Sequence, residues 1–191
     1  QADEEAPVEY ADDALALLIY TSGTTGRPKG VMLDHANLVA MSEMSSAAFD
    51  FDADDHSLLI LPLFHVNAIV VSTLNPLRGG GRVTIAGRFD PRTFFQVLEE
   101  TGATYFSAVP TIYTMLAGLP PEVRPDLSRV RFGVCGAAPA SRELLEGFEA
   151  RYGFPLIEGY GLSECTCAAT CNPLDGERKV GSVGVPLPGQ R

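Results

Sequence analysis

Tyr20-Thr21-Ser22-Gly23-Thr24-Thr25-Gly26-Arg27-Pro28-Lys29-Gly30 is the stretch on which the reading of this chain turns. It follows Leu15-Ala16-Leu17-Leu18-Ile19, a short apolar run that predicts a buried strand, and it leads into a helix-like segment beginning near Asp34. Strand, loop, helix is a setting in which a loop can hold phosphate. Gly23, Gly26 and Gly30 let backbone N–H groups turn inward and approach an anion; Thr21, Ser22, Thr24 and Thr25 add hydroxyls, and Arg27 and Lys29 add positive charge. A polyphosphate is the ligand this chemistry suits. The common nucleotide loop is excluded, because after Gly23 it requires Gly then Lys at positions 28 and 29, and position 28 is Pro.

At 191 residues and 46% hydrophobic, the chain can bury one substantial core, so one domain or one lobe of a larger one is expected. A net charge of -10 argues against nucleic acid as partner, since a phosphate backbone needs a basic face. No apolar stretch reaches the roughly 18 residues of a membrane span, and no charged-then-apolar leader opens the chain, so a soluble, cytoplasmic protein is expected. Cys135, Cys165, Cys167 and Cys171 do not form a disulfide framework in a chain of this length. Their C-x-C-x3-C spacing lacks the paired cysteines and histidines of zinc modules and reads as buried or strand thiols. Asp50 to Asp55 reads as a solvated acidic turn, without the Gly bend or terminal Glu of a calcium loop.

In chain order, residues 1 to 14 are an acidic lead-in. Asp34 is a candidate N-cap for a helix to about Phe49, with Leu38, Met41 and Met44 or Ser45 on one face. Strands are expected at Ser57–Pro62, Arg82–Ala86, Thr104–Val109, Val130–Cys135 and Pro155–Glu158. Between them the pattern predicts helices from Val66 to Leu77, from Asp90-Pro91 through Glu100, from Pro110 to about Gly118, and from Ser141 to Arg151. The fold class is therefore α/β: a mostly parallel, doubly wound sheet with helices on both faces. In such sheets ligands sit at the carboxyl ends of strands, which singles out residues 20–30, 62–65, 107–111, 136–139 and 159–164.

A second chemical landmark falls there: Glu158-Gly159-Tyr160-Gly161-Leu162-Ser163-Glu164. Two glycines around a tyrosine give a sharp turn that exposes the ring. The aromatic face can stack on a base, Ser163 can hydrogen-bond phosphate, and Glu164 can ligate magnesium. Gly133-Val134-Cys135-Gly136-Ala137-Ala138-Pro139 ends a strand in small residues, where backbone can approach a flat ligand. Pro62-Leu63-Phe64-His65 ends another. His65 reads as a pocket-lining or gating residue rather than a catalytic one, and Val66, Ile69, Ser107, Val109, Thr111, Cys135 and Cys165 or Cys167 are candidates to line the same apolar cleft.

The eleven-residue loop string resembles the signature of the adenylate-forming superfamily, which includes acyl-CoA synthetases, luciferases and the adenylation domains of peptide synthetases. The string 158–164 resembles that superfamily's second signature, where Thr is commoner at the position of Ser163, and Pro62–His65 resembles its third. The resemblance covers nearly all of residues 14 to 191 and leans toward the CoA ligases. It implies part of the large N-terminal domain, with residues 15–191 as a partial AMP-binding domain and the C-terminal lobe absent.

The resemblance also implies ATP, magnesium and coenzyme A as cofactors and a small-molecule carboxylic acid as substrate. Lys29 and Glu164 would be catalytic, and Thr21 and Glu164 would hold the metal. Thr21, Ser22, Gly23, Thr24, Thr25, Gly26, Lys29, Gly136, Ala137, Ala138, Glu158, Gly159, Tyr160, Gly161 and Ser163 would bind nucleotide. His65, Val66, Ser107, Gly136 and Gly159 would line the acyl pocket. The implied reaction is carboxylate attack on the α-phosphate of ATP, giving an acyl-adenylate and pyrophosphate, followed by thiolysis with coenzyme A.

A start at Gln1 and a finish at Gly181–Arg191 without a closing helix predict a piece of a longer enzyme. The family's ribose-binding aspartate, hinge arginine and mobile lysine would lie beyond Arg191, so the piece alone is expected to turn over slowly or not at all. Loading of a carrier protein, or a non-catalytic nucleotide-binding module, are the alternatives. The acid and the oligomeric state are not legible.

Overall fold

Strand alternation sets the architecture, as a computed structural model describing residues 10–22 and 26–190 makes visible. Five short strands, β3 (His56–Leu59), β4 (Arg82–Ile85), β5 (Tyr105–Ala108), β6 (Phe132–Cys135) and β7 (Leu156–Tyr160), run parallel in the order β4-β3-β5-β6-β7. β8 (Thr170–Cys171) and β9 (Val185–Pro186) extend the sheet antiparallel from β7. Successive residues enter different cores: Tyr105, Phe132, Val134 and Ile157 join one, and Phe106, Ala108, Cys135 and Leu156 the other. Because neighbouring side chains on a strand point to opposite faces, the sheet is sandwiched between two apolar layers. The expected doubly wound α/β class is the observed one.

The helices divide between the faces. α4 (Phe94–Thr101), α5 (Pro110–Ala117) and α6 (Arg142–Tyr152) bury Phe94, Phe95, Leu98, Tyr113, Leu116, Leu145, Phe148 and Tyr152 against the Phe106 face. α1 (His35–Phe49) and the helical segment after β3 bury Met41, Phe49, Val66, Val70 and Val71 against the Tyr105 face. α1 starts where its sequence says. The Asp34 carboxylate accepts from Asn37 N at 2.7 Å, and Asn37 Oδ1 accepts from Asp34 N at 3.1 Å, a reciprocal cap.

The sequence expectation of one helix over Val66–Leu77 resolves into α2 (Val66–Ile69), a π-helical turn (Val70–Leu74) and α3 (Asn75–Arg78). The Thr73 hydroxyl donates to Ala68 O at 2.8 Å and the Tyr105 hydroxyl to Val71 O at 2.7 Å, which occupies carbonyls inside the widened turn. α4 begins at Phe94 rather than Asp90-Pro91, because Asp90 is engaged in its own turn. Arg92 donates to its carboxylate through backbone N at 2.9 Å and through Nη2 at 2.6 Å, which holds that carboxyl down at about 2.

The larger correction concerns the loop at residues 20–30. β1 (Leu15–Thr21) does not feed a helix. It pairs antiparallel with β2 (Lys29–Asp34) in a separate two-stranded sheet whose last rungs are Tyr20↔Gly30 and Thr21↔Lys29. The setting is strand, loop, strand, then helix. Nor is β1 a buried strand, for only Ile19 is buried in it, and Ile19 and Leu33 carry the hairpin onto the α1-side core. Period-two alternation at Val31 and Leu33 was the available signal.

At the amino ends of the strands, Asp55 is 1% exposed and is chelated by Arg131 Nη1 at 2.6 Å to each carboxylate oxygen. It also accepts from the Thr104 hydroxyl and Asp52 N, while Arg131 Nη2 reaches Phe49 O at 3.2 Å. One ion pair thus ties the entries of β3, β5 and β6 to the end of α1. Asp55→Ala leaves a half-buried guanidinium unpaired and should cost about 3 kcal/mol in urea unfolding. Breaking the exposed Arg78–Glu43 pair with Glu43→Ala should cost under about 1 kcal/mol. Equal losses would deny Asp55 this role.

Candidate functional site

From β3 the chain steps through the helices on one face to β4. It then crosses back past β3 to β5 and continues through α5 and α6 on the other face to β6 and β7. Right-handed crossovers require the face to change when the direction of stepping reverses, so no connection covers the carboxyl ends of β3 and β5. A cavity of about 340 Å3 lies there. Its wall takes Leu61, His65, Val66 and Asn67 from beyond β3, Ala108 and Val109 from β5, Val134, Gly136 and Ala137 from β6, and Gly159 to Ser163 from β7.

The end of β7 is shaped by a steric demand. The Tyr160 carbonyl accepts from Ala169 N at 2.8 Å, which brings the returning chain over Gly161. A methyl at Gly161 would overlap the Cys167 carbonyl, so only glycine fits. Tyr160 is left 51% exposed and lines the cavity. A 3-10 turn (Ser163–Cys165) follows, closed by Leu162 N to Cys165 Sγ at 3.4 Å. Ser163 lines the cavity and Glu164 points into solvent. Ala137, Thr166 and Cys167 adopt positive φ (67°, 66° and 135°), and all three border this site or its turn. Such backbone is costly for residues with a Cβ and concentrates where surrounding structure imposes it.

β2 packs against the Ser163–Cys165 turn. The hairpin and the second signature are therefore neighbours, and Lys29 and Glu164, both exposed, stand on touching segments. The Thr21 hydroxyl contacts Lys29 O at 3.5 Å across the base of the loop. Ser22 and Gly26 are described and exposed, whereas Gly23, Thr24 and Thr25 lie outside the described residues. None of Thr21, Ser22, Gly26 or Lys29 lines the cavity itself.

His65, Val66, Val109, Gly136, Ala137, Gly159, Tyr160, Gly161, Ser163 and Cys167 come together as the sequence suggested. Others do not. Ala138 is exposed beyond the rim, Thr111 is exposed in the first turn of α5, and Ile69 packs into the α1-side core. Ser107 is 1% exposed with its hydroxyl unpartnered and does not line the cavity. Cys135 faces the opposite core, where burial pushes its thiol up to about 12, and Cys165 is spent closing the turn.

Glu158 also faces away. It lines a separate cavity of about 230 Å3 with Glu149, Asn172, Arg178 and Lys179, and burial raises its carboxyl above the usual range. Period two separates it from Gly159. The sequence reading missed Ser45 and Phe49 of α1, Val71 of the π turn, and Ala168, Thr170 and Cys171 around β8. The inward spacing of Met41 and Ser45 was visible, but packing against a cavity rather than a core was not. Among the described residues no cluster of three His, Cys, Asp or Glu could hold a metal alone, and no helix is long and apolar enough to cross a membrane.

Comparison with known proteins agrees with this geometry. The family model described as "AMP-binding enzyme" matches residues 1–191. Sulfoacetate–CoA ligase of Cupriavidus necator is 42% identical over 175 residues, covering 91% of this chain and 34% of the relative. Feruloyl-CoA synthase of an Amycolatopsis species is 36% identical over 187 residues, covering 97% and 38%. The crystal structure of ATP-bound MatB from Rhodopseudomonas palustris superposes with a TM-score of 0.87 at 34% identity, covering 97% of this chain and 36% of that one. The chain belongs to the AMP-binding enzyme family of adenylate-forming proteins. It spans about a third of the length of these relatives.

Gly161→Ala should lower the thermal midpoint by several degrees, since either the Cys167 carbonyl or the turn must move. Gly136→Ala, whose methyl would sit 3.5 Å from Gly159 O, should change it little. A calorimetric scan of both variants decides; an unshifted Gly161→Ala would refute the steric account.

Proposed function

We propose that this chain is the nucleotide- and acid-binding part of an acid–thiol ligase, which joins a carboxylic acid to the α-phosphate of ATP and then passes the acyl group to coenzyme A. The observation that carries the reading is the packing of β2, which closes the hydroxyl- and glycine-rich loop, against the Ser163–Cys165 turn beside the switch-point cavity. Residues 15–191 would form the partial adenylation domain and residues 1–14 its lead-in.

The residues present fit a nucleotide. Gly136 and Ala137 on one strand end and Gly159 on the next leave a flat wall, and the ring of Tyr160 can cover a base laid against it. Ser163 would hydrogen-bond the α-phosphate, and Thr21, Ser22, Gly26 and Lys29 would hold the phosphates beyond it. The Lys29 ammonium and the loop amides would draw charge off the leaving pyrophosphate, while the cavity holds the acid carboxylate in line. His65 and Val66 would border the acyl group. Glu164 would hold magnesium with help from Thr21; a single exposed carboxylate suits an ion that keeps its waters and takes substrate phosphate as further ligands, and when bound the ion supplies charge neutralisation. No step is assigned to Glu158, whose side chain is on the other face.

The relatives leave the acid open, because sulfoacetate carries a second anion and ferulate does not. In the enzyme expressed from its complete reading frame, acid-dependent exchange of pyrophosphate into ATP should fall by about 100-fold or more in Glu164→Gln, with the thermal midpoint unchanged because Glu164 is exposed. Exchange at the parental rate would remove Glu164 from the mechanism, and no exchange with any carboxylic acid would remove the ligase reading.

A further inference from the structure

The turn after β7 presents Ser163 and Glu164, and its shape is held in part by a third side chain, that of Cys165. The segment from Gly161 to Cys167 is pinned at its ends, where Ala169 N donates to the Tyr160 carbonyl at 2.8 Å and the Cys167 carbonyl lies over Gly161. Between those points two backbone hydrogen bonds support it, Cys165 N to Leu162 O at 3.2 Å and Thr166 N to Ser163 O at 3.1 Å. A 3-10 turn of three residues holds weakly by itself, because its i to i+3 bonds are poorly aligned.

The Cys165 thiol adds what the backbone lacks. Its Sγ accepts from Leu162 N at 3.4 Å and donates to Leu162 O at 3.2 Å, so one atom clasps both polar groups of an extended residue (φ -150°, ψ 162°). Ser163 and Glu164 are the two residues enclosed by that clasp. The other thiols are placed differently: Cys135, Cys167 and Cys171 are buried, and burial pushes them up to about 12, about 12 and about 11. Cys165 is partly exposed, in a turn that packs against β2.

We infer that Cys165 is a positioning residue: by holding both polar groups of Leu162, its thiol fixes the direction in which Ser163 and Glu164 are presented to nucleotide phosphate and magnesium. The inference rests on the adenylation reading and deepens it. Magnesium demands near-octahedral geometry, and displacing a positioning group by about 1 Å can cost on the order of 100-fold in rate. A thiol fills this role because it is a weak donor and a weak acceptor at once. A serine hydroxyl has both capacities, and a methyl has neither.

The test is a magnesium titration of acid-dependent pyrophosphate exchange by the enzyme expressed from its complete reading frame and by its Cys165→Ala and Cys165→Ser variants. The acid is whichever of acetate, butyrate, malonate and benzoate the parent uses fastest. Cys165→Ala should lower kcat by about 10-fold or more and raise the magnesium concentration giving half-maximal rate by about 5-fold or more, with KM for the acid within about 2-fold of the parent. Cys165→Ser should bring both quantities back to within about 3-fold of the parent. A fall in rate with an unmoved magnesium midpoint marks a side chain needed only for folding and overturns the inference. Cys165→Ser behaving as Cys165→Ala, or Cys165→Ala exchanging at the parental rate, also overturns it. In each of these cases adenylation by the parent stands, whereas no exchange by the parent with these acids and a broader panel overturns both.

Discussion

The handedness of crossover connections is the constraint on which the rest of this molecule depends. With the helices from α2 to α3 on one face and α4, α5 and α6 on the other, the stepping of the chain must reverse between β3 and β5. That reversal leaves an uncovered cavity at the carboxyl ends of four strands. The opposite ends are fastened by Asp55, Arg131 and Thr104. The buried ion pair and the cavity thus lie at opposite edges of one sheet.

Where charge resides follows the same division. The cavity wall is electrically quiet among the described residues, whereas Lys29 and Glu164 stand outside it on touching segments. A chain with a net charge of -10 cannot attract a polyphosphate by its overall field, so on the proposed reading the loop amides, hydroxyls and one lysine would act locally. The backbone at Ala137, Thr166 and Cys167 is held in positive φ by the β6 end and by the chain returning over Gly161. Among the described residues, three of the four non-glycine positions with positive φ thus gather at the site.

Local chemistry was legible from the residues, and long-range packing was not. The Asp34 cap, the alternation of short apolar strands with helices, and the turn around Tyr160 all depend on neighbours within a few positions. The β1–β2 pairing was misread because the glycine-rich loop and the Asp34 cap together resemble a strand–loop–helix, and β2 shows its alternation in only two inward residues, Val31 and Leu33. α4 starts late because Asp90 bonds Arg92 instead of capping, a choice between two partners that spacing does not decide. Ser45, Val71 and Thr170 reach the cavity through a helix, a π turn and an antiparallel strand, none of which carries a motif. Glu158 stood inside a motif, yet strand alternation turns it to the far face.

The central claim is that the loop after β1 and the turn after β7 serve one ligand. Hydrogen exchange measured with and without magnesium and a non-hydrolysable ATP analogue tests it most directly, on peptides spanning residues 15–33 and 156–171. The account predicts that both peptides gain protection together and at the same analogue concentration, with the β3 entrance around Asp55 unchanged. Protection of one peptide without the other would contradict it.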